Sequence, residues 1–205
     1  MEAVIFIPYF LVLFFSIILH EIAHGYTALK LGDPTAYQQG RLTMNPLPHI
    51  DPIGTIFLPL FLWISNSPFL FGWAKPVPVN PLFFRKPTRD MAIVASAGPL
   101  TNLIIASGFA LVLRIKLFHN LPMSYEVIRF GVVINTILAV FNLIPIPPLD
   151  GSRILAFFLP RHMARTYARI EPFGFIIILL LLITGVMRWI LLPLVNIILS
   201  ILIGG

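Results

Sequence analysis

Long apolar stretches separated by polar, proline-containing connections dominate the pattern of this 205-residue chain. The apolar stretches cover residues 3–31, 53–72, 91–117, 124–144 and 173–205. A run of about 20 apolar residues is long enough to cross a membrane as an α-helix. The pattern therefore predicts an all-α membrane protein, a polytopic bundle of about five to six transmembrane helices. Gly185 and Arg188 divide the last stretch into two short helices, and a short helix is expected over 152–159.

The stretch 53–72 differs from the others because it contains Pro59 and Pro68. Irregular backbone at membrane depth needs a protein-lined or wet setting, so we expect this segment to re-enter the membrane instead of crossing it. On that assumption ten basic residues lie on one side and three on the other, whereas a full crossing gives eight and five. The ten are Lys30, Arg41, Lys75, Arg85, Lys86, Arg89, Arg153, Arg161, Arg165 and Arg169, and the three are Arg114, Lys116 and Arg129. The positive-inside rule favours the re-entrant path.

The composition agrees with a membrane protein, since 58% of the residues are hydrophobic, 11% are charged and the mean hydropathy is +0.94. Soluble domains carry about 25% charged residues. The net charge of +6 comes from basic residues in the connections, so we interpret it as a topology signal and expect no nucleic-acid partner. The first stretch lacks a basic leader and is expected to be a retained helix of one polytopic domain, 1–205.

The strongest chemical motif is His20-Glu21-Ile22-Ala23-His24, inside the first apolar stretch. Residues four apart lie on one face of a helix, about 6 Å apart along its axis, so two imidazoles can bind one metal ion. Glu21 stands beside the first histidine, where it can act as a general base on a metal-bound water. Ionisable residues in a membrane helix are costly and therefore indicate function. The alternative is a histidine pair that hydrogen-bonds to a neighbouring helix.

A catalytic zinc ion needs a third protein ligand, and a chain without cysteine must take it from His, Asp or Glu. Asp150 is the candidate, because Pro145, Pro147 and Pro148 break the preceding helix and place it on rigid, extended backbone. Local sequence equally allows Asp150 to be the N-cap of the following helix. His49 is a rival ligand, and His119 and His162 are interpreted as interfacial or solvent residues. The sequence alone leaves the third ligand open.

Three motifs in order resemble those of the site-2 proteases, a family of intramembrane zinc metalloproteases. They are His20-Glu-Ile-Ala-His24, Gly98-Pro-Leu-Thr-Asn102, and Asn142-Leu-Ile-Pro-Ile-Pro-Pro-Leu-Asp150-Gly151. The segments 41–46, 49–55 and 72–81 are similar to the compact branch of the family, which lacks a PDZ domain. The resemblance covers about residues 10–160, which form the expected catalytic core, and leaves a C-terminal helical pair at about 171–205.

The resemblance implies that Asp150 is the third zinc ligand beside His20 and His24, with one Zn²⁺ per chain. It also implies a membrane-embedded β-element after the first helix. The expected activity is that of an intramembrane zinc metalloendopeptidase, with Glu21 as general base and single-span membrane proteins as substrates. The alternatives are an intramembrane metal transporter, since buried His and acidic residues also mark ion pathways, and a catalytically inactive homologue.

Two asparagines are candidate substrate-binding residues, Asn102 and Asn142, each able to donate a hydrogen bond to a developing oxyanion. The alternative for each is a hydrogen bond between helices. The proline-rich segment 75–81 is expected to be extended, and it lies either beside a β-edge that pairs with substrate or in a surface loop. We expect a multi-pass protein of a prokaryotic plasma membrane with its basic loops in the cytoplasm. The natural substrate and the oligomeric state are left open.

Overall fold

The computed structural model describes residues 2–65, 72–115 and 121–204, and these residues are mostly helical. In chain order the α-helices are α1 (Glu2–Lys30), α2 (Thr35–Gln38), α3 (Leu58–Ile64), α4 (Pro87–Arg114), α5 (Pro122–Asn142), α6 (Asp150–Phe158), α7 (Arg161–Ala168), α8 (Gly174–Ile183) and α9 (Val186–Ile203). A π-helical segment covers Pro52–Phe57, and short 3-10 turns cover Leu47–His49, Pro81–Phe83 and Glu171–Phe173. His119 lies outside the described residues.

Five helical stretches among the described residues are long and apolar enough to cross a membrane. They are Ile7–Lys30, Pro87–Arg114, Pro122–Asn142, Arg161–Ile183 and Val186–Ile203. Most of their surface is not buried by the rest of the protein, so lipid is the solvent that this apolar surface requires. The predicted all-α, polytopic membrane fold is thereby confirmed. The described residues contain no PDZ domain, whereas the division into a core and a C-terminal pair stays a prediction.

The core of the bundle is formed by α1, α4 and α5, which pack on one another. Helix α6 packs against α4, and α9 packs against α5. Small side chains on α4 permit this close approach, and Ala92, Ala95, Ala106 and Ala110 are all buried. Helices in a membrane associate through such small residues because lipid supplies no hydrophobic force between them. Helix α4 therefore contacts both α1 and α6, the two helices that carry the candidate metal ligands.

The last apolar stretch is divided at Gly185, as predicted. Gly185 has a φ of +76°, a left-handed conformation that favours glycine, and it separates α8 from α9. At the start of α9, Met187 packs with Ile144 and Leu149, which lie just after the end of α5. Helix α9 therefore begins beside the C-terminal end of α5.

The far end of α9 is tied to the end of α4. The Arg114 guanidinium donates hydrogen bonds to the carbonyl oxygens of Ile201 and Leu202, at 2.8 and 3.0 Å. A cation at the C-terminus of a helix also interacts favourably with the helix dipole. Helix α8 starts against the loop that follows α5, because a Cβ on Gly174 would lie 1.7 Å from the Pro147 oxygen.

The predicted β-element is absent from the described residues, which include no β-strand. The segment 74–80 is extended, but several of its backbone groups bond to side chains, and it pairs with no neighbouring strand among the described residues. Val77 N–H donates to Glu21, Asn80 N–H donates to Asp33, and the Lys75 carbonyl accepts from Arg41. The prolines in this segment lack the N–H donors that a β-ladder needs, which explains the difference.

The two ends of the segment 53–72 lie together. Trp73 N–H donates to the Gly54 oxygen at 3.1 Å, the Thr55 hydroxyl donates to the Trp73 oxygen, and Lys75 N–H donates to the His49 oxygen. The segments that resemble the compact branch therefore form one packed unit. Residues 66–71 lie outside the described part of the chain, so re-entry into the membrane stays a prediction.

Candidate metal centre

Helix α1 brings the two motif histidines together on one face. His20 and His24 are one helical turn apart, both are buried, and their Nε2 atoms are 3.0 Å apart. The rings meet edge to face, with centroids 4.6 Å apart. This is the arrangement that the spacing of four residues predicts.

Asp150 completes the group from the first turn of α6. Its Oδ2 atom lies 3.2 Å from the Nε2 atom of His20 and 3.2 Å from that of His24. The N-cap position of α6 is occupied by Leu149, without a side-chain cap, so the structure does not use the Asp150 carboxylate as a cap. Oδ2 is buried and has no hydrogen-bond partner. A buried carboxylate oxygen without a donor requires compensation, which a bound cation would supply.

Each histidine is oriented by a group on α4. The His24 Nδ1 atom lies 2.7 Å from the Val94 carbonyl oxygen, which only accepts, so Nδ1 carries the proton. The His20 Nδ1 atom lies 2.6 Å from Asn102 Oδ1, and it also donates. In the neutral rings, both Nε2 atoms therefore present lone pairs toward Asp150. Such outer hydrogen bonds fix the tautomer of metal-binding histidines.

The three candidate ligand atoms fit a zinc ion. Two atoms bonded at about 2.0–2.1 Å to one tetrahedral ion lie about 3.3–3.4 Å apart. The observed separations among His20, His24 and Asp150 are 3.0, 3.2 and 3.2 Å. Without a cation, two imidazole lone pairs and a carboxylate would face one another unfavourably in a buried site. The donor set of two histidines and one carboxylate leaves a fourth position open, as catalytic zinc sites do.

Gly98 lets α4 approach this site closely. A Cβ at this position would lie 2.5 Å from the Cε1 and Nε2 atoms of His20 and 2.5 Å from the Nε2 atom of His24. Real Cβ contacts are not that short. Gly98 and Asn102, the two ends of the second motif, are one turn apart; Gly98 faces both histidines and Asn102 contacts His20. The motif therefore has a physical explanation: Gly98 leaves space for the two imidazole rings, and Asn102 supplies a hydrogen-bond acceptor for the ring of His20.

The general-base candidate, Glu21, is held in place by the extended segment 74–80. Its Oε2 atom accepts a hydrogen bond of 2.7 Å from Val77 N–H. The buried Arg41 side chain supports that segment by donating to the oxygens of Lys75 and Pro76, at 2.7 and 3.2 Å. Burial lowers the pKa of Arg41 below its ordinary value, and the negative charge of Glu21 opposes the shift.

A cavity of about 600 Å³ opens onto the ligand group. Its lining includes the metal-ligand candidates together with Glu21, Trp73, residues of the extended segment 74–80, and Asn142 at the end of α5. A volume in the range of about 300–1,000 Å³ is typical of sites that enclose a ligand. The cavity is large enough for an unwound piece of polypeptide beside Glu21.

The two candidate substrate-binding asparagines have different surroundings. Asn102 is fully buried and its amide takes part in hydrogen bonds between helices, the alternative that the sequence left open. Asn142 is half-buried, lines the cavity and donates to the Leu138 oxygen of its own helix. A substrate role for either residue stays a prediction.

The other two histidines that the structure describes, His49 and His162, do not join the ligand group. His49 is fully buried and its Nε2 atom bonds to the Thr43 oxygen, so it fixes the loop after α2. His162 is exposed on α7. Sequence reasoning missed Asn135 and Ser16, which are buried and linked to Asn102. The signal was available, because Asn135 is a polar residue in the middle of the apolar stretch 124–144.

Comparison with known proteins identifies a family and several relatives that are named as zinc metalloproteases. The model of peptidase family M50 matches residues 119–185. The chain is 39% identical over 200 residues to "Putative zinc metalloprotease YwhC" of Bacillus subtilis, covering 92% of this chain and 86% of that protein. It is 31% identical over 175 residues to "Putative zinc metalloprotease Rip2" of Mycolicibacterium smegmatis, covering 85% of this chain and 66% of that protein.

An archaeal relative matches a shorter part of the chain. "Putative zinc metalloprotease MJ0611" of Methanocaldococcus jannaschii is 44% identical over 62 residues, which is 30% of this chain and 31% of that protein. No solved structure matches the chain significantly. The long alignment with the Bacillus protein, the family match and the ligand geometry agree, and the chain belongs to peptidase family M50, the site-2 protease family.

Proposed function

We propose that this chain is an intramembrane metalloendopeptidase that holds one zinc ion and hydrolyses peptide bonds in single-span membrane proteins. The observation that carries the proposal is the convergence of His20, His24 and Asp150, with separations of 3.0 to 3.2 Å, inside a bundle of apolar helices. The names of the relatives describe zinc metalloproteases, which supports the same chemistry.

The depth of the site supports cleavage within or near the membrane. His24 lies six residues before the end of α1 at Lys30, which corresponds to about 9 Å along the helix axis. The cavity is lined by residues of α1, α4 and α5, three stretches that are apolar enough to cross a bilayer. A substrate entering this cavity leaves the lipid but stays below the end of the helix. We infer that the cavity supplies the water that hydrolysis needs.

The proposed reaction is addition of water to the scissile carbonyl followed by loss of the amine. A bound zinc ion supplies Lewis-acid polarisation of the carbonyl and of the attacking water. Glu21 takes a proton from the water as the water oxygen bonds to the carbonyl carbon. Glu21 then passes the proton to the leaving nitrogen as the C–N bond breaks, so that atoms and charges balance. The Val77 N–H holds one oxygen of Glu21 in place for both transfers.

The extended segment 74–80 is proposed to border the bound substrate. A transmembrane helix has to unwind before its peptide bonds can be cut, and the released N–H and C=O groups then need partners. The wall beside Glu21 is extended and non-helical, and Asn142, which also lines the cavity, is a donor candidate. The proposed location is a prokaryotic plasma membrane with the basic loops in the cytoplasm, which the positive-inside rule favours.

The test uses wild type, Glu21→Gln and the control Glu126→Gln, purified in detergent with zinc measured per chain. Glu126 lies in the first part of α5 and is more than half exposed, away from the ligand group. Each protein is incubated with a single-span test substrate, with and without a chelator. We expect one zinc per chain in all three, and chelator-sensitive cleavage by wild type and Glu126→Gln only. Wild type without zinc, or equal cleavage by Glu21→Gln, contradicts the proposal.

The same variants separate the competing classes. Metal transport or simple metal binding survives Glu21→Gln, because the substitution leaves the three ligand candidates intact. If zinc is bound without cleavage, zinc flux into liposomes is measured next. Flux that is unaffected by Glu21→Gln identifies a transporter and overturns the peptidase assignment.

A further inference from the structure

A chain of buried polar groups crosses the core from α5 to the ligand His20. Asn135 and Asn102 are both fully buried, and Asn102 Nδ2 donates to Asn135 Oδ1 at 2.9 Å. On the other side, Asn135 Nδ2 donates to the Ser16 hydroxyl at 2.9 Å. Asn102 Oδ1 lies 2.6 Å from the Nδ1 atom of His20. Burying an amide in an apolar bundle costs free energy unless the amide is hydrogen-bonded, so each amide in this series of hydrogen bonds needs its particular partners.

Backbone carbonyls determine the direction of every hydrogen bond in the chain. Asn135 Nδ2 also lies 2.9 Å from the Gly131 oxygen, which can only accept. The other end of the Asn135 amide is therefore its oxygen, and it requires a donor from Asn102. Asn102 then presents Nδ2 to Asn135 and a second, longer contact of 3.4 Å to the Ser16 oxygen. Its Oδ1 atom is left facing His20.

The direction of the Asn102 amide decides which nitrogen of His20 is protonated. With Oδ1 toward the ring, Nδ1 donates and Nε2 presents its lone pair to the metal position. If the amide were reversed, Nδ2 would face Nδ1, and the neutral ring would carry its proton on Nε2. That proton would occupy the place of the metal. His24 has no such dependence, because its Nδ1 donates to the Val94 carbonyl, which cannot reverse.

We propose that Asn135 is a positioning residue that holds the Asn102 amide in the orientation required for His20 to bind zinc. Asn135 does not touch the ligand group, and it acts through Asn102. The inference rests on the proposed function, because it takes His20 as a zinc ligand. It assigns a role in metal binding to α5, a core helix that supplies none of the three ligands.

The test compares zinc affinity in Asn135→Leu, Asn135→Asp and the control Thr136→Val. Affinity is measured by competition with a chromophoric chelator, on monodisperse protein, together with thermal unfolding of the metal-free forms. Thr136 is the neighbouring residue on α5, it is also fully buried, and its hydroxyl bonds to the Val132 oxygen of the same helix. Thr136→Val therefore removes a buried polar group outside the chain of polar contacts.

We expect Asn135→Leu to weaken zinc binding by about tenfold, the lower end of the effects seen for outer partners of metal ligands. Asn135→Asp, as a neutral acid, still donates to Gly131 and accepts from Asn102, so its affinity stays within about threefold of wild type. A role in helix packing alone predicts the opposite order, because leucine suits an apolar bundle better than aspartate does. If Asn135→Leu gives no folded protein, Asn135→Ala takes its place in the same comparison.

A double substitution tests whether Asn135 acts through Asn102. Asn102→Leu is expected to weaken zinc binding by about 10- to 100-fold, and adding Asn135→Leu should weaken it no further. Wild-type affinity in Asn135→Leu, a weaker affinity in Asn135→Asp than in Asn135→Leu, or multiplying effects in the double variant overturns the inference. Wild type that fails to bind zinc contradicts the proposed function instead, so the two failures are distinguishable.

Discussion

Gly98→Ala adds a single methyl group at the point where α4 meets the histidine pair. That methyl would lie 2.5 Å from ring atoms of both His20 and His24, where an ordinary contact is 3.4–4 Å. The neighbours therefore have to move by about 1 Å. The rings cannot rotate freely, since each Nδ1 atom is bound to α4. A metal site tolerates displacements of only about 0.2 Å in its bond lengths.

The expected cost falls on zinc binding more than on folding. Adding a methyl to a well-packed site costs about 1–3 kcal/mol. Without zinc, the rings can relieve the clash by giving up their hydrogen bonds to Asn102 and Val94. With zinc, they must return to the crowded position, so the full cost opposes binding. We expect zinc affinity to fall by roughly 5- to 150-fold, the equivalent of that free energy at 25 °C.

Gly108→Ala is the matched control, because Gly108 lies on the same helix and the added methyl would have no neighbouring atom within 4 Å. Both variants receive the same increase in helix propensity, about 1 kcal/mol. Zinc affinity is measured by chelator competition and folding by thermal unfolding of the metal-free proteins. Equal zinc affinity in Gly98→Ala and Gly108→Ala would refute the argument that Gly98 makes room for the ligand rings.

Two further substitutions probe the ligand Asp150 and the support of the cavity wall. Asp150→Asn should lower zinc affinity by more than about 100-fold, which is the largest loss expected from removing a residue that only hydrogen-bonds to a ligand. The thermal stability of the metal-free protein should stay equal or rise, because an amide can donate hydrogen bonds to the imidazoles. A variant that keeps zinc would exclude Asp150 as a ligand. Arg41→Met removes two charge-assisted hydrogen bonds to Lys75 and Pro76, each contributing about 1.5–3 kcal/mol. Backbone hydrogen exchange at Val77 should accelerate at unchanged zinc affinity, and unaltered exchange would show that Arg41 does not hold this segment.

Local patterns predicted the elements whose cause is local. The spacing of His20 and His24 sets their common face on α1, and Gly185 ends α8 because a left-handed residue is needed there. Asp150 could not be assigned locally, since a residue after a proline-rich break is equally suited to cap a helix. The resemblance to the family supplied the choice, and the geometry agrees with it. The information lay in the fold, which brings α6 to α1 across 126 residues of sequence.

Long-range polar contacts could not be predicted from the sequence, because they too depend on how the helices pack. Asn135 bonds to Ser16, 119 positions away, and no local signal connects two polar residues in separate apolar stretches. The prediction of a β-element was wrong for a different reason. The prolines of 75–81 lack N–H donors, and other backbone groups of this segment bond to the side chains of Glu21, Asp33 and Arg41. The sequence pattern predicts which segments are extended, but it does not predict which groups form hydrogen bonds with their backbone.

The contact between Arg114 and the end of α9 has a consequence for sidedness. Helix α9 begins beside Ile144, at the C-terminal end of α5, and ends at Arg114, so it runs in the same direction as α4. Helix α8 starts at Gly174 against Pro147, and Met187 in the first turn of α9 packs near Ile144, so both helices begin near the C-terminal end of α5. The ten residues of α8 are about 15 Å long, half of a bilayer core of about 30 Å. A reporter placed after Ile203 is therefore expected on the same face as Arg114, opposite the start of α4 at Pro87.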